Sequence, residues 1–117
     1  MVHLCLDFEG VLIPEIWQCL AKEVNSDDLM LTTQDLKDYD ELMSLRMKVV
    51  NDKNIKLSDI QKIVKDIDPF DGAQEFLDWA RSKFQVTIVS DTFYELAWHL
   101  VEKLGYPSII CHNMTVE

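Results

Sequence analysis

Positive charge is scarce in this sequence. Its 117 residues hold 11 Lys and Arg against 21 Asp and Glu, a formal charge of −10. A surface of that sign repels phosphate backbones and anionic headgroups, so neither nucleic-acid nor membrane-surface binding is expected. Long apolar runs are absent too: none approaches the ~18 residues of a membrane span. The N-terminus, MVHLCLDFEG, has no basic region and reaches an acid at Asp7, so it does not read as a signal peptide. Cysteine is limited to Cys5, Cys19 and Cys111, odd in number and widely spaced. That pattern excludes a disulfide framework and a zinc site and points to reduced, buried thiols in the cytoplasm. There is no internal repeat and no low-complexity stretch. What is present is apolar: 48% of the residues are hydrophobic, enough for a real core, so the chain is one small domain or part of a larger one.

The organisation follows from periodicity. VHLCLDF, residues 2–8, is a short apolar run closed by Glu9-Gly10 and reads as a buried strand ending at Asp7 or Phe8. Pro14 suits a first helical turn, and Ile16, Trp17, Leu20, Ala21 and Val24 recur at helical spacing up to Asn25. Residues 27–37 are polar and broken. Residues 38–51 are helical again, and Ser58 with Gln61 suggests a capped helix over 59–67, ended by Pro69. Phe76, Leu77, Trp79 and Ala80 mark the next helix, and the three tryptophans, Trp17, Trp79 and Trp98, read as core. VTIV, residues 86–89, is four consecutive apolar β-formers, the pattern of a central parallel strand. Ser90-Asp91-Thr92 follows, then a helix over 93–104 with Gly105 just past its end, then a strand at 108–111. HNMTVE, residues 112–117, carries no stop signal. Strand, several helices, strand, helix, strand is an α/β order. The first crossover is far longer than one helix requires, so the stretch between Pro14 and Pro69 reads as a helical insertion.

In open α/β sheets, chemistry sits beyond the carboxyl ends of the strands. Two strand ends here carry polar groups: Asp7 and Glu9 after the first, Ser90-Asp91-Thr92 after the second. Taken singly, an acid after a strand is a common turn former and Ser-Asp-Thr a common helix cap. Together they describe phosphoryl transfer. A carboxylate nucleophile can accept the phosphoryl group, and a second carboxylate can protonate the leaving oxygen and then deprotonate water. A hydroxyl and backbone N–H groups can hold the phosphoryl oxygens, and magnesium can offset the repulsion between nucleophile and phosphate.

The element DFEGVL and the strand-end Ser-Asp-Thr resemble motifs I and II of the haloacid dehalogenase superfamily, and the helical insertion matches its cap placed after motif I. DFEGVLIPEIW, YDELMSLRMKVV and FQVTIVSDTFYE are similar to the branch of bifunctional phosphoserine phosphatase/homoserine phosphotransferases, of which Asp-x-Glu is itself characteristic. The resemblance implies an α/β, Rossmann-like core with an incomplete parallel sheet of three strands. It divides the chain into a core at 1–13 and 69–117 and a cap at 14–68. It implies Asp7 as nucleophile and Glu9 as acid/base, with Asp7 and the Glu9 carbonyl as magnesium ligands. Ser90, aided by the amides around Asp91 and Thr92, would bind phosphate. Glu15 would meet the substrate's ammonium group and Arg46 its carboxylate. The implied substrate is O-phospho-L-serine, with homoserine as a second phosphoryl acceptor. In this family the chain continues to a motif III lysine and a motif IV acidic loop. Neither occurs before Glu117, so the resemblance reads this chain as the N-terminal part of such an enzyme.

Other residues carry weaker signals. His112 lies near a strand end, and Phe93 and Tyr94 follow motif II. Asp35, Asp38 and Asp40 read as a solvated helix face rather than a metal site. The competing reading is a binding module, two copies of the chain pairing through the open edge that the first strand would present.

Overall fold

In a computed structural model, residues 2–114 are described. Strand β1, His3–Leu6, is followed by helix α1, Ile16–Val24, and a single 3₁₀ turn at Asp28–Met30. Helices α2, Tyr39–Asp52, and α3, Leu57–Lys65, complete the insertion, and α4, Ala73–Lys83, leads back to the sheet. Strand β2, Gln85–Phe93, helix α5, Tyr94–Lys103, and strand β3, Ile109–His112, follow. The sheet is parallel with order β1-β2-β3, so β2 is central and the Asp7 strand is an edge. Of the segment 112–117, residues 115–117 lie outside the described residues.

The α/β order and the central place of VTIV are as the sequence predicts, but VTIV is not buried on both sides. Val86 and Ile88 are buried while Val89 is 46% exposed. In a strand, alternate residues face opposite ways, and here α4 and α5 pack on one face only. Cys5, Val89 and Ile110 therefore lie exposed. The thiols correct the cysteine reading: all three are free, Cys5 is exposed, and Cys19 and Cys111 are half-buried. Trp79 and Phe76 are also exposed, because α4 turns Ala73, Leu77 and Ala80 inward instead. Trp98 is half-buried and stacks on His99, and Trp17 alone of the three tryptophans is buried.

Two boundaries move for local reasons. Helix α3 begins at Leu57, not after Ser58, because the Asp59 carboxylate accepts the Lys56 N–H at 2.9 Å and sets the first turn there. Gln61 leaves the expected cap and donates instead to the Glu95 carbonyl of α5 at 2.9 Å. Ser90-Asp91-Thr92 is not a helix cap. It stays within β2, at an irregularity in the pairing with β3 between Val89 and Phe93, and α5 starts after Phe93 with no side-chain cap.

The helical stretch is closed at its base by one bond and tied back to the sheet side at two points. Phe70 N–H donates to the Leu12 carbonyl at 2.9 Å, joining the outgoing and returning connections. Lys103 of α5 reaches the Lys65 and Ile67 carbonyls and pairs with Asp68. The Tyr39 hydroxyl donates to the Asp91 carbonyl at 3.2 Å. These bonds and a shared apolar cluster seat the helices of 14–68 over the carboxyl ends of β1 and β2.

Candidate active site

Asp7 leaves β1 directly, exposed, with its carboxylate accepting the next N–H, that of Phe8, at 2.7 Å. Phe8 is 0% exposed and anchors the turn in the core. Its carbonyl accepts from Val11, Leu12 and Ile13, and the Gly10 N–H donates to the Ile13 carbonyl at 2.7 Å. Gly10 sits at φ 80°, a conformation that side-chain-bearing residues avoid, and so permits this tight return. The buried Phe8 leaves Asp7 and Glu9, on either side of it, to line one cleft of about 180 Å³.

Helix α1 supplies the next wall from its first turn. Glu15 is its N-cap residue, and the Ile16 N–H, free at the helix start, donates to the Glu9 carboxylate at 3.0 Å. Trp17 follows, buried but bordering the cleft. Helix α2 contributes Arg46, and the strand end of β2 contributes Asp91 and Thr92. Of the residues singled out in the sequence, six therefore share this cleft: Asp7, Glu9, Glu15, Arg46, Asp91 and Thr92. Ser90 stands just behind it, half-buried, its hydroxyl oxygen accepting the Thr92 N–H at 3.1 Å.

Sequence reasoning missed Thr32, Thr33 and Gln34, which complete the rim. They belong to a polar turn that reads as an ordinary loop, held by Asp35 accepting the Thr32 N–H at 3.0 Å. Tyr39 was missed as well, although its bond to Asp91 joins α2 to the strand end. His112, Phe93 and Tyr39 form a neighbouring aromatic group. Phe93 and Tyr39 line a separate open groove of about 800 Å³ along α2, outside the carboxylate cleft. Asp38 caps α2 by accepting the Asp40 and Glu41 N–H groups.

The electrostatics are lopsided. Four carboxylates, Asp7, Glu9, Glu15 and Asp91, face one guanidinium. Burial pushes the Glu9 carboxyl up to about 7; the Ile16 N–H opposes this, the Glu15 charge adds to it, the Thr92 hydroxyl opposes it and Asp91 adds to it. A carboxyl poised there can both give and take a proton at neutral pH. Arg46 is only 8% exposed and its Nε has no hydrogen-bond partner among the described residues. Desolvation lowers its pKa, against the pull of Glu9, Tyr39, Asp91 and Glu15. Among the described residues it forms no ion pair. A buried cation without a counter-ion is costly unless a ligand supplies the anion.

No group of three His, Cys, Asp or Glu side chains converges on a metal position among the described residues. The donors that do fit a hard cation are the exposed Asp7 carboxylate and the Glu9 carbonyl, to which no backbone N–H is bonded among the described residues. Magnesium commonly takes one or two protein carboxylates and completes its shell with phosphate oxygens and water. The excess of carboxylates would repel a phosphate dianion unless a cation stood between them.

An edge strand ending in Asp-x-Glu, a neighbouring strand ending in Ser-Asp-Thr and helices packed over both give the arrangement that the sequence motifs imply through their resemblance to the haloacid dehalogenase superfamily. This chain's similarities lie with phosphoserine phosphatases. It is 46% identical over 113 residues to phosphoserine phosphatase ThrH of Pseudomonas aeruginosa, covering 97% of this chain and 55% of that protein. It is 45% identical to a phosphoserine phosphatase of Pseudomonas syringae pv. tomato, covering 97% of this chain and 48% of that one. The chain thus spans about half the length of the curated relatives it matches. Its fold resembles that of a solved phospho-aspartyl intermediate analogue of phosphoserine phosphatase, with a TM-score of 0.65 at 21% identity over 98% of this chain and 57% of the other. No family model matches the chain.

Proposed function

We propose that this site transfers the phosphoryl group of O-phospho-L-serine to water by way of an aspartyl-phosphate. The observation that carries the reading is the single cleft that joins Asp7 and Glu9 to Glu15 and to an Arg46 that forms no ion pair among the described residues. The named relatives, both phosphoserine phosphatases, support the substrate.

In this reading residues 14–68 act as a cap over a core built from 1–13 and from 69 onward. Arg46 takes the substrate carboxylate and Glu15 its ammonium group. The Ser90 hydroxyl and the amides of Asp91 and Thr92 hold phosphoryl oxygens, the Thr92 N–H exchanging its bond to Ser90 for one to phosphate. An Asp7 carboxylate oxygen attacks phosphorus and the bond to the serine oxygen breaks. The proton held on Glu9 passes to that oxygen, and serine leaves. Glu9, now ionised, takes a proton from water, whose oxygen attacks the same phosphorus. The bond to Asp7 breaks and phosphate departs. A homoserine hydroxyl in the water's place would carry the phosphoryl group away as an ester. Magnesium is the metal in this proposal, held by the Asp7 carboxylate and the Glu9 carbonyl with phosphate oxygens and water; when bound it offsets the repulsion between Asp7 and phosphate. A cytoplasmic setting suits three free thiols.

The test is phosphate release from O-phospho-L-serine by the 117-residue chain, with and without magnesium, beside Asp7→Asn. Release that requires both magnesium and Asp7 is the expected result. Release that survives Asp7→Asn would overturn the aspartyl-phosphate route, and none from folded protein would overturn the activity for this span.

A second reading, association of two copies, has an observation of its own. Among the described residues β1 has an unpaired edge, and the sheet face that carries Cys5, Val89 and Ile110 leaves them exposed.

A further inference from the structure

Arg46 is more than nine-tenths buried, yet no carboxylate of the described residues pairs with it. Its protein contacts are weak: one terminal nitrogen lies 3.5 Å from the Leu31 carbonyl, the other 3.5 Å from the Met43 sulfur, and Nε has no partner among the described residues. The remaining contact is aromatic. The guanidinium carbon stands 5.0 Å from the centre of the Trp17 ring, within the range at which a cation is held by the negative face of an indole. Trp17 is itself fixed, only 5% exposed and packed in the core cluster. It sits one residue after Ile16, whose N–H holds Glu9, and two after Glu15.

We propose that Trp17 is the positioning residue for Arg46. Its ring steadies the guanidinium in place of a counter-ion and leaves the donor edge free for a ligand's carboxylate. An acidic side chain in that position would hold the arginine equally well but would neutralise it and close the fork. An aliphatic one would leave a buried cation unsupported. The first turn of α1 thereby sets two distances at once, since the same turn orients Glu9 through Ile16 and Arg46 through Trp17. The spacing between the phosphate end and the carboxylate end of a ligand is thus built into one rigid element. The carboxylate part of this inference rests on the phosphoserine reading; the hold of the ring on the guanidinium does not.

The experiment has two readouts on the 117-residue chain. The first is proton NMR of the ligand-free protein. The ring current of Trp17 should move the Arg46 Hδ and Hε resonances upfield of those of an unstructured arginine, and ordinary positions for both would overturn the proposal. The second is calorimetric binding of O-phospho-L-serine and of O-phosphoethanolamine, which keeps the phosphate and ammonium but has no carboxylate. Tryptophan analogues of increasing fluorine content are placed at position 17 alone; they keep the shape of the indole and drain its π face, so the core packing is preserved. Phosphoserine affinity should fall stepwise, by about tenfold across the series, while phosphoethanolamine affinity stays level. A flat phosphoserine response, or an equal fall for both ligands, would overturn the role. If the upfield resonances are present but the unmodified chain binds both ligands alike, the phosphoserine reading fails and the grip of Trp17 on Arg46 stands.

Discussion

Glu9 holds the most perturbed carboxyl of the site, and the cause is its place in the chain. Phe8 must be buried to close the turn, which draws Glu9 beneath the first turn of α1 and strips it of water. The Ile16 N–H favours the ionised form, but burial outweighs it and the pKa rises from 4.5 to about 7. The consequence for stability has a definite sign. The folded state binds the Glu9 proton more tightly than the unfolded chain, so folding is penalised as pH rises from about 4.5 and the penalty levels off above about 7. Its size is up to about 3 kcal/mol. Urea unfolding at pH 5 and pH 8 should therefore show Glu9→Gln more stable relative to the parent at pH 8 than at pH 5. An unchanged difference between the two pH values would mean that Glu9 is not desolvated.

Helices α1 and α2 each deliver one half of the site, and each depends on its N-terminal end. On α1 the free N–H of Ile16 is used for Glu9 rather than for a cap, so the end of the helix is committed to the cleft. On α2 the end is capped conventionally: Asp38 accepts from Asp40 at 2.9 Å and from Glu41 at 3.3 Å. That cap determines where the helix begins, and with it the turn on which Arg46 falls and the reach of Tyr39 to Asp91. Asp38→Ala should cost about 1 kcal/mol in chemical denaturation. A loss near zero would show that packing of Leu42 and Val49 alone sets the register of α2.

At the scale of the whole molecule the sheet is the unusual part. Parallel sheets are ordinarily covered on both faces. Among the described residues the helices cover one, and Val89 and Ile110, cross-strand partners in register, are 46% and 63% exposed on the other. Adjacent exposed apolar side chains beside a free strand edge favour association. The net charge of −10 opposes it at long range, and salt screens that repulsion. Sedimentation at rising protein concentration in moderate salt should show self-association that the double substitution Val89→Thr with Ile110→Thr removes. Identical sedimentation of the two proteins would rule out pairing through this face.

The sequence by itself determined what is local. The apolar runs at 2–8 and 86–89, the helical spacing of Leu20, Ala21 and Val24, and Gly10 and Gly105 at positive φ each act over a few residues, and each was legible in order and type. Asp7, Glu9, Ser90, Asp91 and Thr92 were legible because parallel strands must present their carboxyl ends together. Only the tertiary structure decided which apolar residues are buried, since burial depends on which faces meet: Trp79 and Cys5 lie outside, Trp17 inside. It also decided how Ser90-Asp91-Thr92 is held, because pairing with β3 resumes at Phe93 and so carries the strand through these residues instead of releasing them to cap a helix. The Thr32–Gln34 rim and the stacking of Arg46 on Trp17 join residues far apart in the chain. No spacing rule encodes such a meeting; it exists only once α1, α2 and the two strand ends are packed against one another.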